Sequence, residues 1–235
     1  MALPRNKSWK TAFRSHYYQQ APEPPDPKLD RGKLALLVID VQNAYLARPD
    51  PATLDSAGRA VYDAWTPFHA RMHATVLPTV RRLLDRFRTD GHEILFARIA
   101  CQTADGRDRS LSQRLPGWNN VILPAAAWES QIASVIAPLP AEIVVTKTTD
   151  SALTGTALRL MLNNLGITQV LCCGIFTDQC VSSTVRSLAD ESFSVILIED
   201  GCAAGTDALH RNELEVINMI YCQVMSSEEL LGYLP

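Results

Sequence analysis

The chain has 235 residues, of which 47% are apolar and 20% charged, and 22 basic side chains against 25 acidic ones leave a formal net charge of -3. That length and balance suit one well-buried globular domain and give no general attraction for nucleic acid or an anionic membrane surface. No run approaches the ~18 apolar residues of a membrane span and the first twenty residues lack an apolar h-region, so the expected compartment is the cytoplasm.

Residues 1 to 32 are polar and basic, and four prolines fall between Ala21 and Asp30. This reads as an extended arm, lying on the domain or on a partner subunit, in front of a single domain over residues 33–235. Leu34-Ala35-Leu36-Leu37-Val38-Ile39 is a continuous apolar run, the pattern of a strand buried on both faces of a parallel sheet, and it ends in Asp40. Asp50 to Pro67, with Pro51 and Gly58, reads as a loop-like insertion. His69 to Arg88 then reads as a helix that Pro78 starts or kinks.

Ile94 to Ile99 is the second strand. Cys101 to Pro124 is a long polar loop holding Gln102, Arg107, Arg109, Trp118 and Asn119; loops of that length are uncommon unless functional, so it is read as the specificity loop. Trp128 to Ile136 predicts a short helix, and Ile143 to Thr146 a third strand followed by Lys147. Leu158, Met161, Leu162 and Leu165 mark a helix face closed by Asn164 and Gly166. Val170 to Cys173 is the fourth strand, residues 181 to 190 a helix, and Ser194 to Ile198 the fifth strand, ending at Glu199 and Asp200. Leu209 to Met219 is a further helix, Cys222 to Met225 a sixth strand, and Ser226 to Leu231 a last helical turn capped by Ser226 or Ser227. Strands alternating with helices predict an α/β fold: a doubly wound, Rossmann-like, mostly parallel six-stranded sheet with helices on both faces.

The six cysteines show no C-x-x-C pair and no short-loop framework, and are read as reduced thiols. Cys172, Cys173, Cys202 and Cys222 look like packing residues. Cys180 differs: it follows Gly174 by six residues and precedes the i, i+4, i+7 pattern of Val181, Val185 and Leu188, so it stands at a helix N-terminus, where a thiol is expected to ionise more readily than a free one. Asp40, Lys147 and Cys180 each follow a separate buried strand. At one edge of one sheet they supply an acid/base group, a cation and a nucleophile, the set nucleophilic catalysis requires. The histidines at 69, 73, 92 and 210 show no ligand spacing and are read as structural.

Three separated segments carry a resemblance: Val38-Ile39-Asp40-Val41-Gln42-Asn43-Ala44-Tyr45, Lys147-Thr148-Thr149-Asp150-Ser151-Ala152-Leu153, and Gly174-Ile175-Phe176-Thr177-Asp178-Gln179-Cys180-Val181. In order and spacing they resemble the isochorismatase-like cysteine hydrolases, and the resemblance runs from about Leu34 to Leu231. The Gln42-Asn43-Ala44-Tyr45 tail looks most like ureidoacrylate and related ureido or biuret-type amidohydrolases. The resemblance implies that Asp40 takes the Cys180 proton, that Lys147 holds Asp40 and favours the thiolate, and that the backbone N–H groups of Phe176 and Cys180 form an oxyanion hole. It also implies a cis peptide at Ile175-Phe176.

The metal motif of the nicotinamidase branch is missing after the second strand, where Arg98 leads into Ile99-Ala100-Cys101-Gln102, so no catalytic metal and no cofactor are expected. A cysteine at 180 argues for amide-type chemistry through a thioester, since thiol attack is idle on an enol ether. Candidates for binding the small amide or ureido substrate are Gln42, Tyr45, Arg98, Gln102, Trp118, Asn119 and Phe176, with Arg107 and Arg109 as further cations for a substrate carboxylate. A homo-oligomer, dimer or tetramer, is expected by the same resemblance, with the arm as a plausible strap. Two other readings stay open: a non-catalytic family member serving as a binding or scaffolding subunit, and a thiol redox protein using Cys172, Cys173 and Cys180.

Overall fold

The computed structural model describes residues 8–116 and 122–235; Trp118 and Asn119 lie outside them. The six expected strands all form and lie parallel: β1 (Leu34–Ile39), β2 (Glu93–Ile99), β3 (Ile143–Lys147), β4 (Gln169–Ile175), β5 (Ser194–Ala203) and β6 (Gln223–Met225), in the order β3-β2-β1-β4-β5-β6. The chain builds outward from β1 to β3 and then crosses back to lay β4 beside β1. That reversal makes the β1/β4 boundary a topological switch point, where open α/β sheets bind ligands at their carboxyl ends. All six residues of β1 are buried, as are the last six of β4, which explains why both read as continuous apolar runs.

The β1/β4 contact depends on one glycine. Gly174 sits at φ +124°, and a Cβ there would stand 2.0 Å from the Ile39 carbonyl oxygen. β5 runs on to Ala203, past the expected end at Ile198, because its register against β4 shifts between Cys172 and Gly174 and the strand resumes after the irregularity.

The helices surround the sheet: α1 (Asn43–Leu46), α2 (Ser56–Arg71), α3 (Leu77–Asp90), α4 (Leu158–Asn164), α5 (Ser182–Asp190), α6 (Asp207–Ile217) and α7 (Ser227–Leu231). The reading of residues 50 to 67 as a loop is corrected by α2. Asp55 caps that helix by accepting from the Gly58 N–H, and Pro67 lies inside it. A π-helical turn, Met72–Val76, joins α2 to α3, so the two run on as one long element.

The helix expected over Trp128 to Ile136 is replaced by two 3-10 turns, Trp128–Ser130 and Ser134–Ile136. Between them the backbone is spent on the loop after β1: the Asn43 N–H donates to Gln131 O and the Ala133 N–H to Val41 O, both at 3.0 Å. α7 carries the expected cap, a capping box between Ser226 and Glu229. The arm packs on its own domain: Trp9 is buried against Tyr233, and its backbone N–H donates to Glu229 at 2.7 Å.

Candidate active site

Asp40 leaves β1 with φ +54°, a left-handed conformation that aspartate tolerates better than most residues. Its N–H donates to Ala97 O and its carbonyl accepts from the Gln42 N–H, each at 2.8 Å, so the turn is fixed from both sides. Lys147 is the last residue of β3, two strands away, and its side chain crosses the end of β2 to place Nζ 2.7 Å from Asp40 Oδ2. Both side chains are buried, Lys147 at 0% and Asp40 at 2% exposure. Lys147 Nζ also donates to Thr149 O at 3.1 Å.

Burial works against both charges and their mutual attraction works for them. The Asp40 pKa is raised by burial, with Lys147 pulling against it. Burial would discharge Lys147, but Asp40 and Cys180 outweigh it and its pKa is raised.

Cys180 lies in a π-helical turn, Thr177–Val181, that leads into α5, and the peptide before this turn, Ile175-Phe176, is cis. The thiol is 6% exposed. Its Sγ donates to Asp150 Oδ1 at 3.6 Å, and Gln113 Nε2 donates to the same oxygen at 2.6 Å. The thiol pKa is raised well above its usual value by burial, then by Asp40, with Lys147 opposing. The expectation of an acidified thiol is therefore corrected: a nearly sealed sulfur beside two carboxylates holds its proton more firmly, and the helix terminus does not offset that. The arrangement suits proton removal during attack, by a carboxylate whose own basicity burial has increased.

The turn is held from behind by a buried network. Thr177 Oγ1 and His210 Nδ1 are 2.7 Å apart, and Arg71 Nη2 lies 2.8 Å from His210 Nε2 and 3.6 Å from Glu199. Burial, with Arg71 next, lowers the His210 pKa to about 3, and burial, with Asp200 next, raises that of Glu199 to about 7. His210 is thus neutral and structural.

Asp40 and Cys180 open on one cavity of about 340 Å³. Its apolar lining is an aromatic cluster in which Phe176 meets Tyr45, Trp65 and Phe68 at ring-centroid distances of 5.4, 5.8 and 5.1 Å. Its polar lining includes Arg109, Gln113, Asp150 and Gln179. Residues 34–229 match the family model described as the isochorismatase domain. The chain belongs to the isochorismatase family.

Among its relatives in the family are the ureidoacrylate amidohydrolase RutB of Methylobacterium radiotolerans, 28% identical over 90% of this chain and 84% of that one, and a streptothricin hydrolase of Streptomyces noursei, 31% identical over 72% of this chain and 49% of that one. A solved cysteine hydrolase from Pseudomonas syringae pv. phaseolicola shares the fold with a TM-score of 0.74 at 19% identity, covering 91% of this chain and 98% of that one. The protein is thus an isochorismatase-family hydrolase with an α/β sheet of the family's kind.

The cavity sorts the expected substrate-binding residues. Tyr45 and Phe176 line it. Gln42 does not: it is fully buried, its Nε2 donates to Ile99 O and Ser130 O, and its Oε1 accepts from the Ile99 N–H, so its amide ties β1 to β2. Arg98 is also turned away, donating to Thr146 Oγ1 at 3.1 Å and Gln131 Oε1 at 2.7 Å. Gln102 is exposed, and its backbone N–H is held by Asp108. Of the loop arginines, Arg107 pairs with Asp105 on the surface and Arg109 reaches the cavity. Trp65, Phe68, Gln113 and Asp150 were not foreseen. Trp65, Phe68 and Met72 recur at i, i+3, i+7, a helical signal that Pro67 concealed.

Proposed function

We propose that this hydrolase cleaves a C–N bond of a small amide or ureido compound through a thioester on Cys180, releasing ammonia or an amine. The observation that carries the reading is that Asp40, held by the buried Lys147 ammonium at 2.7 Å, lines one cavity together with the Cys180 thiol. Asp40 takes the Sγ proton as sulfur adds to the carbonyl carbon, and Lys147 keeps the carboxylate oriented and ionised. The developing oxyanion is received by the backbone N–H groups of Cys180 and Phe176. The C–N bond breaks as the nitrogen takes the proton from Asp40. Water then gives its proton to the same carboxylate and its hydroxyl to the thioester, which returns the acid and the free thiol. The sum is amide plus water going to acid plus amine, and no group outside the chain is required. The ureidoacrylate amidohydrolase relative and the aromatic cavity lining favour a small, flat substrate.

The test is ammonia release from ureidoacrylate, biuret, N-carbamoyl amino acids, nicotinamide and simple aliphatic amides, with Cys180→Ser as control. Release that Cys180→Ser abolishes supports the reading. Release by Cys180→Ser at the wild-type rate refutes it. Silence across the panel, with Cys180 inert to iodoacetamide at high pH, favours a binding subunit instead.

A further inference from the structure

We infer that Arg109 is the acid-recognition residue of this cavity, so that the substrate is an amide or ureido compound carrying a carboxylate. The inference rests on the amidohydrolase reading of the same site and adds the substrate's charge to it.

Arg109 is 5% exposed and lines the cavity that holds Cys180. One of its nitrogens is satisfied: Nη2 donates to Gln113 Oε1 at 2.6 Å. Nε and Nη1 are both buried and neither has an acceptor among the described residues. No carboxylate comes within 4.0 Å of the guanidinium among those residues, and residues 1–7 and 117–121 contain no Asp or Glu. A guanidinium buried without a counter-charge is strongly disfavoured unless a ligand supplies one. The other sealed cation, Lys147, has Asp40 at 2.7 Å. Of these two buried cations, Arg109 has only a neutral amide as its partner among the described residues.

The neighbouring acid does not serve as its partner. Asp150 is separated from Arg109 by the whole Gln113 amide, which donates from Nε2 to Asp150 and accepts at Oε1 from Arg109. The amide thus keeps the two charges apart and leaves Nε and Nη1 for something else. Asp150 in turn touches the nucleophile at 3.6 Å, so the unpartnered cation and the reacting sulfur are one short hydrogen-bonded relay apart. A small molecule whose scissile carbonyl meets Sγ, and whose acid group sits a short spacer away, would neutralise Arg109 with charge-assisted hydrogen bonds.

The experiment compares N-carbamoyl-β-alanine with its neutral carboxamide, N-carbamoyl-β-alaninamide, by calorimetric titration in a Cys180→Ser background, where no turnover confuses binding. The acid is expected to bind at least ~10-fold more tightly than the amide, about 1.4 kcal/mol. Arg109→Gln should bring the two within twofold. Gln113→Glu keeps the guanidinium but gives it a permanent partner, and should erase the preference as well. Equal binding of the pair before any further change overturns the inference, as does an acid preference that survives both variants. Hydrolysis by the wild-type protein is scored separately. An acid preference that Arg109→Gln removes, in a protein without Cys180-dependent turnover, would uphold the anion site and sink the amidohydrolase reading. Brisk turnover favouring the carboxamide would do the reverse.

Discussion

Lys147→Met removes the ammonium from a sealed pair and leaves the Asp40 carboxylate without its cation. Both partners are buried and 2.7 Å apart, so no neighbouring side chain replaces the lost charge, and breaking such a pair typically costs about 3–5 kcal/mol. With a urea slope of about 2–3 kcal/mol/M, the unfolding midpoint should fall by about 1–2 M. Asp40→Asn/Lys147→Met removes both charges, and Asn suits the left-handed conformation at position 40, so the double variant should regain most of the loss while remaining inactive. The pH dependence has a definite sign. With Lys147 gone, burial is the dominant influence on Asp40 and holds its folded pKa above the ordinary 3.8. From that value upward to the folded pKa the native state holds a proton that the unfolded chain has lost, so raising the pH costs stability and the gap to wild type should close below about pH 4. Urea unfolding at pH 4 and pH 8 measures both effects. A Lys147→Met midpoint equal to wild type at pH 8, or a double variant no more stable than the single one, would refute the reasoning.

Asp150→Asn removes a carboxylate acceptor 3.6 Å from the thiol and one of the groups that hold its proton, so the pH at which iodoacetamide alkylates Cys180 should move down and alkylation at neutral pH should quicken; an unchanged profile would show that Asp150 does not act on the sulfur. Gly174→Ala forces a Cβ to within 2.0 Å of Ile39 O at φ +124° and should prevent folding, so a soluble variant melting near the wild-type temperature would contradict the close β1/β4 approach. His210 and Glu199 act on acid stability in opposite directions. His210 stays neutral in the fold, so stability is lost as pH falls from 6.5 towards about 3, whereas Glu199 stays protonated in the fold, so stability is lost as pH rises from 4.5 to about 7. The two offset each other between pH 4.5 and 6.5, so Glu199→Gln should expose the histidine's slope there; melting curves parallel to wild type across that window would rule out the pair.

The sheet was readable because its central strands are buried on both faces: β1 and β4 announce themselves as unbroken apolar runs, and the polar residues Asp40 and Lys147 stand out where two such runs end. α2 was hidden because Pro67 and Gly58 outweigh its amphipathic spacing in any local reading, although the Asp55 cap at its start was there to be seen. With α2 went the part of the aromatic lining that Trp65 and Phe68 supply. Arg98 and Arg109 look alike in the sequence, and only tertiary contacts separate them: Arg98 is consumed by Thr146 and Gln131, while Arg109 is buried with two nitrogens that have no acceptor among the described residues. Asp150 lies three residues past Lys147, inside a segment whose lysine drew the attention, and its contact with Cys180 depends on a loop and a turn brought together from different strands. The thiol's basicity is hidden from the sequence for the same reason, because burial and neighbouring carboxylates are properties of the fold and position relative to a helix is not enough to set them.

The most direct test of a Cys180 nucleophile is to stop turnover of a hydrolysed panel compound with acid and weigh the peptide that contains Cys180. A mass increase equal to the acyl group, removed by hydroxylamine and absent from Cys180→Ser, is the predicted result. Continued hydrolysis with Cys180 unmodified at every quench time, or by Cys180→Ser at an undiminished rate, would contradict it.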